Sequence, residues 1–288
     1  MIVPLRGRWS LVLGASSGIG RAISLALARE GVHVIGLHFD TAERADGVAD
    51  LVTELRGYGV QAHFVNANAA SPATRAELVP LVARLTEGAG LHILVHSLAF
   101  GTLVPYLPRP GYDDGIARRQ LEMTLDVMAH SLVYWTQDLR AADLLPPGAK
   151  IYAMTSAGVH QKLPAYGAVS AAKSALESHV RQLACELAPD GVAVNALRAG
   201  VTVTPALTRI PGSADFVANG ADTNPHGRLT RPEDVGEAVV LLSRTDSSWI
   251  TGNTIGVDGG ELHAAAGAWR RPPAKAGDGS DETAENRR

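Results

Sequence analysis

One feature constrains this chain more than any other: a glycine-punctuated turn between its first apolar run and its first amphipathic run. The run Trp9–Leu13 leads into Gly14-Ala15-Ser16-Ser17-Gly18-Ile19-Gly20, and a helical pattern then covers Gly20–Glu30. Glycines let a backbone turn tightly and approach a pyrophosphate, whose charge is favoured at a helix N-terminus. The spacing is G-x-x-x-G-x-G rather than G-x-G-x-x-G. Alone, such a turn is equally a structural bend. Here it opens an alternating chain, which makes it a phosphate-binding candidate through Gly14, Ser16, Ser17, Gly18, Ile19 and Gly20. Strands are expected at Trp9–Leu13, Val32–Phe39, Val60–Val65, Leu91–Val95, Lys150–Met154 and Val192–Leu197. Helices are expected at Gly20–Glu30, Thr41–Arg56, Pro72–Thr86, Ile116–Arg140 and Tyr166–Leu187. Repeated strand–helix–strand units demand a parallel sheet covered on both faces, an α/β doubly wound fold.

The pattern runs without a Gly/Ser linker to Leu262, so residues 1–262 read as one domain, holding both the dinucleotide-binding turn and the candidate catalytic groups. Residues 263–288 are rich in charge, Pro and Gly, lack an apolar face, and are expected to be disordered. With 46% hydrophobic and 19% charged residues the chain can bury a full core. A net charge of -3 gives no sign of a nucleic-acid or membrane-surface partner. The single cysteine, Cys185, rules out an internal disulfide and reads as buried and inert within a helix. The N-terminus lacks a signal-peptide pattern, and no apolar run reaches the ~18 residues of a membrane span, so a cytoplasmic location is expected. Two loops punctuated by Pro and Gly, Phe100–Asp114 and Gly200–Pro232, are long enough to be substrate covers.

The stretch Thr155–Lys173 carries a hydroxyl, a phenol and an ammonium: Ser156, Tyr166 and Lys173. Seven residues, close to two helical turns, separate Tyr166 from Lys173, so both leave the same helix face. Ser156 follows the apolar run ending at Met154. Chance alignment of a Tyr and a Lys on one helix is the competing explanation.

These residues together make the chain resemble the short-chain dehydrogenases/reductases over roughly residues 8–261. Further matches are Val65-Asn66-Ala67-Asn68, Val194-Asn195-Ala196, Ala199-Gly200-Val201-Thr202-Val203-Thr204 and the run from Trp249 through Gly260. The resemblance implies a Rossmann-type sheet with a seventh strand near Thr254–Val257. It also implies an NADH or NADPH cofactor held by the glycine turn, His38, Asn68, Ala69, Ser97, Leu98, Ala99, Lys173, Gly200, Thr202 and Thr204. Asn68, where Asp is commoner, would meet the adenine, and Lys173 the nicotinamide ribose. Most relatives carry Tyr four residues before Lys, where this chain has Val169. Ser156 and Lys173 keep the usual separation, so only the phenol has moved, by three residues or about 4.5 Å along a helix.

A Tyr so displaced, together with His96-Ser97 after the fourth strand and Met128 where ketone reductases often have Asn, resembles the enoyl-acyl carrier protein reductases. That likeness implies reduction of an enoyl thioester, of the kind made in fatty acid or polyketide assembly, with Tyr166 and Ser156 stabilising the enolate. Its acyl carrier protein or CoA carrier is left open, and a homotetramer through the two long helices is implied. A ketoreductase or alcohol dehydrogenase of small carbonyls is the alternative, and a non-catalytic nicotinamide sensor a third reading. His38, Phe39 and Asp40 include no base for a 2′-phosphate, which tilts the cofactor toward NADH, unless Arg44 folds back. His96 reads as cofactor-side packing, Tyr152 as core, and His130 and Tyr134 as a subunit face or site wall. His160, His179 and His226 have no ligand spacing, so no metal is expected. Arg198 stands where relatives have a small residue, and could meet a phosphate or a substrate carboxylate.

Overall fold

The computed structural model describes residues 2–161 and 163–263. The expected disordered tail, apart from His263, lies outside the described residues. Seven strands, β1 (Trp9–Leu13), β2 (His33–His38), β3 (Ala62–Asn66), β4 (Ile93–His96), β5 (Lys150–Ser156), β6 (Ala193–Ala199) and β7 (Thr254–Val257), form one sheet in the order β3-β2-β1-β4-β5-β6-β7. Every pairing is parallel. The chain thus runs outward in both directions from β1, and the switch point between β1 and β4 is where such sheets bind ligands, beyond the strand C-termini.

The helices are α1 (Gly18–Arg29), α2 (Ala45–Gly57), α3 (Pro72–Leu85), α4 (Arg118–Leu125), α5 (Ser131–Ala141), α6 (Gly167–Leu187), α7 (Ser213–Thr223) and α8 (Pro232–Ser243). The inner strands are apolar on both faces, as a sheet covered twice requires. One face packs Leu11, Leu94, Ile151, Val194, Trp135 and Leu176 into a core under α3 to α6. The other packs Val12, Val34, Ile93, Leu197, Leu55 and Val239 under α1, α2 and α8.

The sequence expectations differ from this frame in four places. The single helix expected at Ile116–Arg140 is two, α4 and α5, joined by a π-helical turn at Asp126–His130. Ser131 donates to the Val127 carbonyl at 2.8 Å, and side-chain bonding of that kind bends helices. The loop Gly200–Pro232 contains α7, and α8 follows it directly. The α8 start had a legible signature: Pro232 in the first turn, with Asp234 accepting the Arg231 N–H at 2.8 Å. Cys185, expected to be buried, is exposed, because its helix position faces away from the sheet. Ser156 is the last residue of β5 rather than part of the loop after it.

Candidate active site

The C-terminal ends of β1, β4, β5 and β6 converge on one cleft. Gly14 N–H and Ala15 N–H both donate to the Leu37 carbonyl of β2, at 2.8 and 3.1 Å, which fixes the turn after β1. Ser17, extended, caps α1 without using its hydroxyl for the cap. A methyl group on Gly20 would strike the Gly14 carbonyl, and one on Gly14 the Ser97 carbonyl of the β4 end. That cradle, at the N-terminus of a twelve-residue helix with free donors, fits a pyrophosphate. Gly18 faces Thr204, so the glycine turn and the loop after β6 close on each other across the cleft. Thr204 Oγ1 accepts the Leu207 N–H, and Thr202 Oγ1 donates to the Gly200 carbonyl.

Tyr166 is the residue preceding α6, not its first helical residue. Its O–H donates to Ser156 Oγ at 3.3 Å, and the same oxygen accepts the Gly158 N–H at 3.1 Å. Two features set the ring. Any Cβ at Gly158 would collide with the Tyr166 ring, so glycine there is what lets the phenol lie flat. Ala165, directly before it, holds φ at +57°, a left-handed conformation that costs a non-glycine residue about 1–2 kcal/mol. The position usual for the phenol is taken by Val169, buried against Gly101 and next to Met128 and Thr124. Apolar and methyl-bearing side chains therefore fill that space. Burial raises the Tyr166 pKa above the ordinary phenol value, and the hydrogen bond to Ser156 opposes this.

Lys173 Nζ donates to the carbonyls of Met154 (2.7 Å) and Leu98 (3.1 Å), tying α6 to the ends of β5 and β4. Burial pushes its pKa down to about 7, with Glu177 acting in the opposite direction. His96 is fully buried, and its Nε2 lies 2.8 Å from Ser131 Oγ. Since the Ser131 hydroxyl hydrogen goes to Val127, His96 Nε2 carries the proton, and its Nδ1 has no partner. Burial, and next the Lys173 charge, lower its pKa to about 3, so it is a neutral spacer beneath the cleft.

The other expected residues divide. Ser97 and Leu98 line the turn at Gly14, while Ala99 is exposed beside them. Asn68 closes a local turn by accepting the Ala70 N–H at 3.0 Å. Ala69 is buried, its carbonyl accepting the Trp135 indole N–H, so its side chain belongs to the core. His38 bonds Asp40 through Nδ1 at 3.0 Å. Asp40 is gripped from both sides of its backbone by Asn66, and Arg44 approaches its carboxylate at 3.5 Å. Asp40 and Arg44 share a cleft of about 530 Å³ with Ser16 and Arg21. Arg198 is buried and paired with Asp258 at 3.4 Å, its Nε unpartnered. His130 pairs with His179 at 3.0 Å, and Tyr134 lies under the Arg75 guanidinium. Tyr152 is core, as expected, with its hydroxyl on Ser243. Sequence reasoning missed the buried Thr155–Glu177 bond of 2.7 Å and the Tyr106 ring, which lies over the start of α6 at Gly167. No short spacing signals either one. No group of three or more His, Cys, Asp or Glu among the described residues is placed to hold a metal ion. No helix among them is long and apolar enough to cross a membrane.

Comparison with known proteins agrees with this geometry. A family model described as enoyl-(acyl carrier protein) reductase matches residues 14–261. The chain is 30% identical over 267 residues to the NADPH-dependent aldehyde reductase-like protein, chloroplastic, of Arabidopsis thaliana, covering 90% of this chain and 95% of that one. It is 28% identical over 269 residues to the enoyl-[acyl-carrier-protein] reductase [NADH] FabI of Salmonella typhimurium, covering 91% and 96%. Among solved structures, a short chain dehydrogenase from Burkholderia cenocepacia in complex with NADP superposes with a TM-score of 0.76 at 25% identity, over 90% of this chain and 99% of that one. A parallel sheet wound outward from β1, a glycine cradle at its switch point and a family match across nearly the whole described chain lead to one conclusion: the protein belongs to the short-chain dehydrogenases/reductases, and is a nicotinamide-dependent oxidoreductase.

Proposed function

We propose that the protein reduces the 2,3 double bond of an enoyl thioester, carried on acyl carrier protein or CoA. The observation that carries this reading is the phenol paired with Ser156 while Val169 and Met128 fill the position nearer Lys173. A ketone needs its proton donor on the oxygen of the carbon that receives hydride. An enoyl thioester takes hydride at the β-carbon, and charge develops on the carbonyl oxygen, three bonds away. A donor displaced along the helix suits the second case, because catalysis rewards contacts made to charge that appears in the transition state.

The nicotinamide supplies the hydride when bound. Tyr166 and Ser156 would donate hydrogen bonds to the thioester oxygen as it becomes an enolate, whose α-carbon would then take a proton from solvent to complete the reduction. Lys173, held between the strand ends, binds the ribose and in its ionised form favours the phenolate. The glycine cradle of Gly14, Ser16, Ser17, Gly18, Ile19 and Gly20 takes the pyrophosphate, and Thr202 and Thr204 border the nicotinamide. The loop carrying Tyr106, together with α7, shields the acyl chain from water.

Asp40 beside the ribose end favours NADH, since its charge opposes a 2′-phosphate. A homotetramer through the long-helix faces of α4, α5 and α6 is part of the proposal. Crotonyl-CoA and acetoacetyl-CoA, assayed with NADH and NADPH by absorbance, test it. Oxidation of the cofactor with crotonyl-CoA is expected, and turnover of the ketone alone would refute the enoyl reading. The Arabidopsis relative, named as aldehyde reductase-like, supports the second reading, reduction of a small carbonyl.

A further inference from the structure

Lys173 sits in a place where a charge is hard to keep. It is buried, and its two hydrogen bonds go to carbonyls that carry no net charge. Glu177 stands one helical turn beyond it on α6, also buried. Its carboxylate accepts from Thr155 Oγ1 at 2.7 Å, and Thr155 is itself buried, next to Ser156 on β5. A carboxylate at that depth survives only when it is bonded and faces a cation.

We propose that Glu177 is the positioning residue of this site: pinned by Thr155, its carboxylate keeps Lys173 ionised and directed at the ends of β4 and β5. The proposal rests on the role of Lys173 given above, but not on which substrate is reduced. The other groups that face Lys173 do not supply the counter-charge. From β4, His96 is neutral at any pH well above about 3. At the start of α6, Tyr166 is held protonated by burial. From β6, Arg198 is the register partner of Thr155 and so projects from the same sheet face, but it is a cation and is paired with Asp258. Arg198 is answered by Asp258, which leaves Glu177, one turn along α6, as the acidic group that acts on Lys173. Arg198 thereby gains the structural role that its sequence position left open.

The chain has only four lysines, Lys150, Lys162, Lys173 and Lys275, so each can be followed separately by NMR in protein labelled with ¹³C at lysine Cε. In the full chain without cofactor, the most acidic lysine titration is expected near the value of about 7 that burial imposes on Lys173. Glu177→Gln should move that titration downward by about one pH unit, leaving Lys150 in place. Thr155→Val should move it in the same direction by less, and Thr155→Ser should restore it. With any substrate the enzyme turns over, the alkaline limb of the kcat/KM profile should shift the same way in the same variants. An unchanged lysine titration in folded Glu177→Gln, or in Thr155→Val if the first variant does not fold, would overturn the proposal. Failure of crotonyl-CoA to react would strike the enoyl reading alone and leave the titration result standing.

Discussion

The two ends of the cofactor cleft are built in opposite ways. At the β5–α6 end, Ser156, Tyr166 and Lys173 are buried or nearly so, and each is fixed by a neighbour's shape or by hydrogen bonds: Gly158 under the ring, the Met154 and Leu98 carbonyls on the ammonium. At the β2 end, Asp40 is held at its backbone by Asn66, but its charge is met by His38 and by a half-exposed Arg44 at 3.5 Å. Burial makes the first end stiff and shifts its ionisation far from ordinary values. The Asp40 carboxylate and His38 are themselves nearly buried, so the soft part of the second end is the half-exposed Arg44: a solvated ion pair contributes only about 0–1 kcal/mol and can be exchanged for a ligand contact. Chemistry should therefore fail sharply when the first end is altered, and cofactor choice should drift gradually when the second is.

The largest effect tests the stiff end directly. Tyr166→Phe removes the donor without changing shape and should lower kcat by about 10²–10⁴-fold, with the dissociation constant for reduced cofactor, read by fluorescence, unchanged within about twofold. A large loss of cofactor affinity would mean that the phenol serves binding instead. Gly158→Ala comes next. The new methyl must displace the ring, so kcat/KM should fall by about 10²-fold while Tyr166 itself is intact. Normal turnover in that variant would show that the ring position is not critical and would erase the contrast between the two ends.

Acid should expose the same stiffness as a loss of stability. His96 under the cleft and His92, which precedes β4 at the opposite end of the sheet and meets the Ser243 carbonyl, are lowered by burial to about 3 and about 4. Their unfolded forms bind protons from about pH 6.5 downward, whereas the folded forms do not until well below. Stability should therefore fall as pH drops from about 6.5 toward 3, which thermal melts across that range will measure. Lys173 acts with the same sign in a different window: its lowered pKa of about 7 against 10.5 costs stability increasingly as pH falls from 10.5 to about 7.

Much of the frame could be read from the chain because short-range patterns encode it. Strand positions follow from apolar runs such as Leu91–Val95, and the cleft from a turn whose glycines answer to local backbone clashes at Gly14 and Gly20. The pairing of Tyr166 with Ser156 and the position of Lys173 on α6 were legible in part, because one strand end and one helix start set them. The π-helical turn at Asp126–His130 was not, because it goes with the Ser131 bond to the Val127 carbonyl, and Ser131 also meets His96 of β4, 35 residues away. Arg198 was opaque likewise: its partner, Asp258, arrives only when β7 adds to the sheet edge. Cys185 misled because a mid-helix position between apolar neighbours can still face solvent. What sequence conveys poorly is contact across elements, and the ionisable groups of this site are governed mostly by such contacts.

The smallest expected effect lies at the soft end and separates two roles for its charges. Asp40 presents a carboxylate that could accept ribose hydroxyls, and Arg44 is placed to leave that carboxylate for a phosphate. If Asp40 governs selection, Asp40→Asn should raise kcat/KM with NADPH relative to NADH by about 10-fold, since a repulsion of roughly 1.4 kcal/mol is removed. Arg44→Ala should then change the ratio by less than about threefold, because an exposed arginine paired at 3.5 Å contributes little. If instead Arg44 swings to the phosphate, its removal should depress NADPH use by the larger factor and Asp40→Asn should matter less. In both variants kcat with saturating NADH should stay within about twofold of the parent, because neither side chain lies near the phenol. A drop in that kcat comparable to the Tyr166→Phe loss would mean that the two ends are mechanically coupled, and the distinction between a stiff chemical end and a soft selective end would fail.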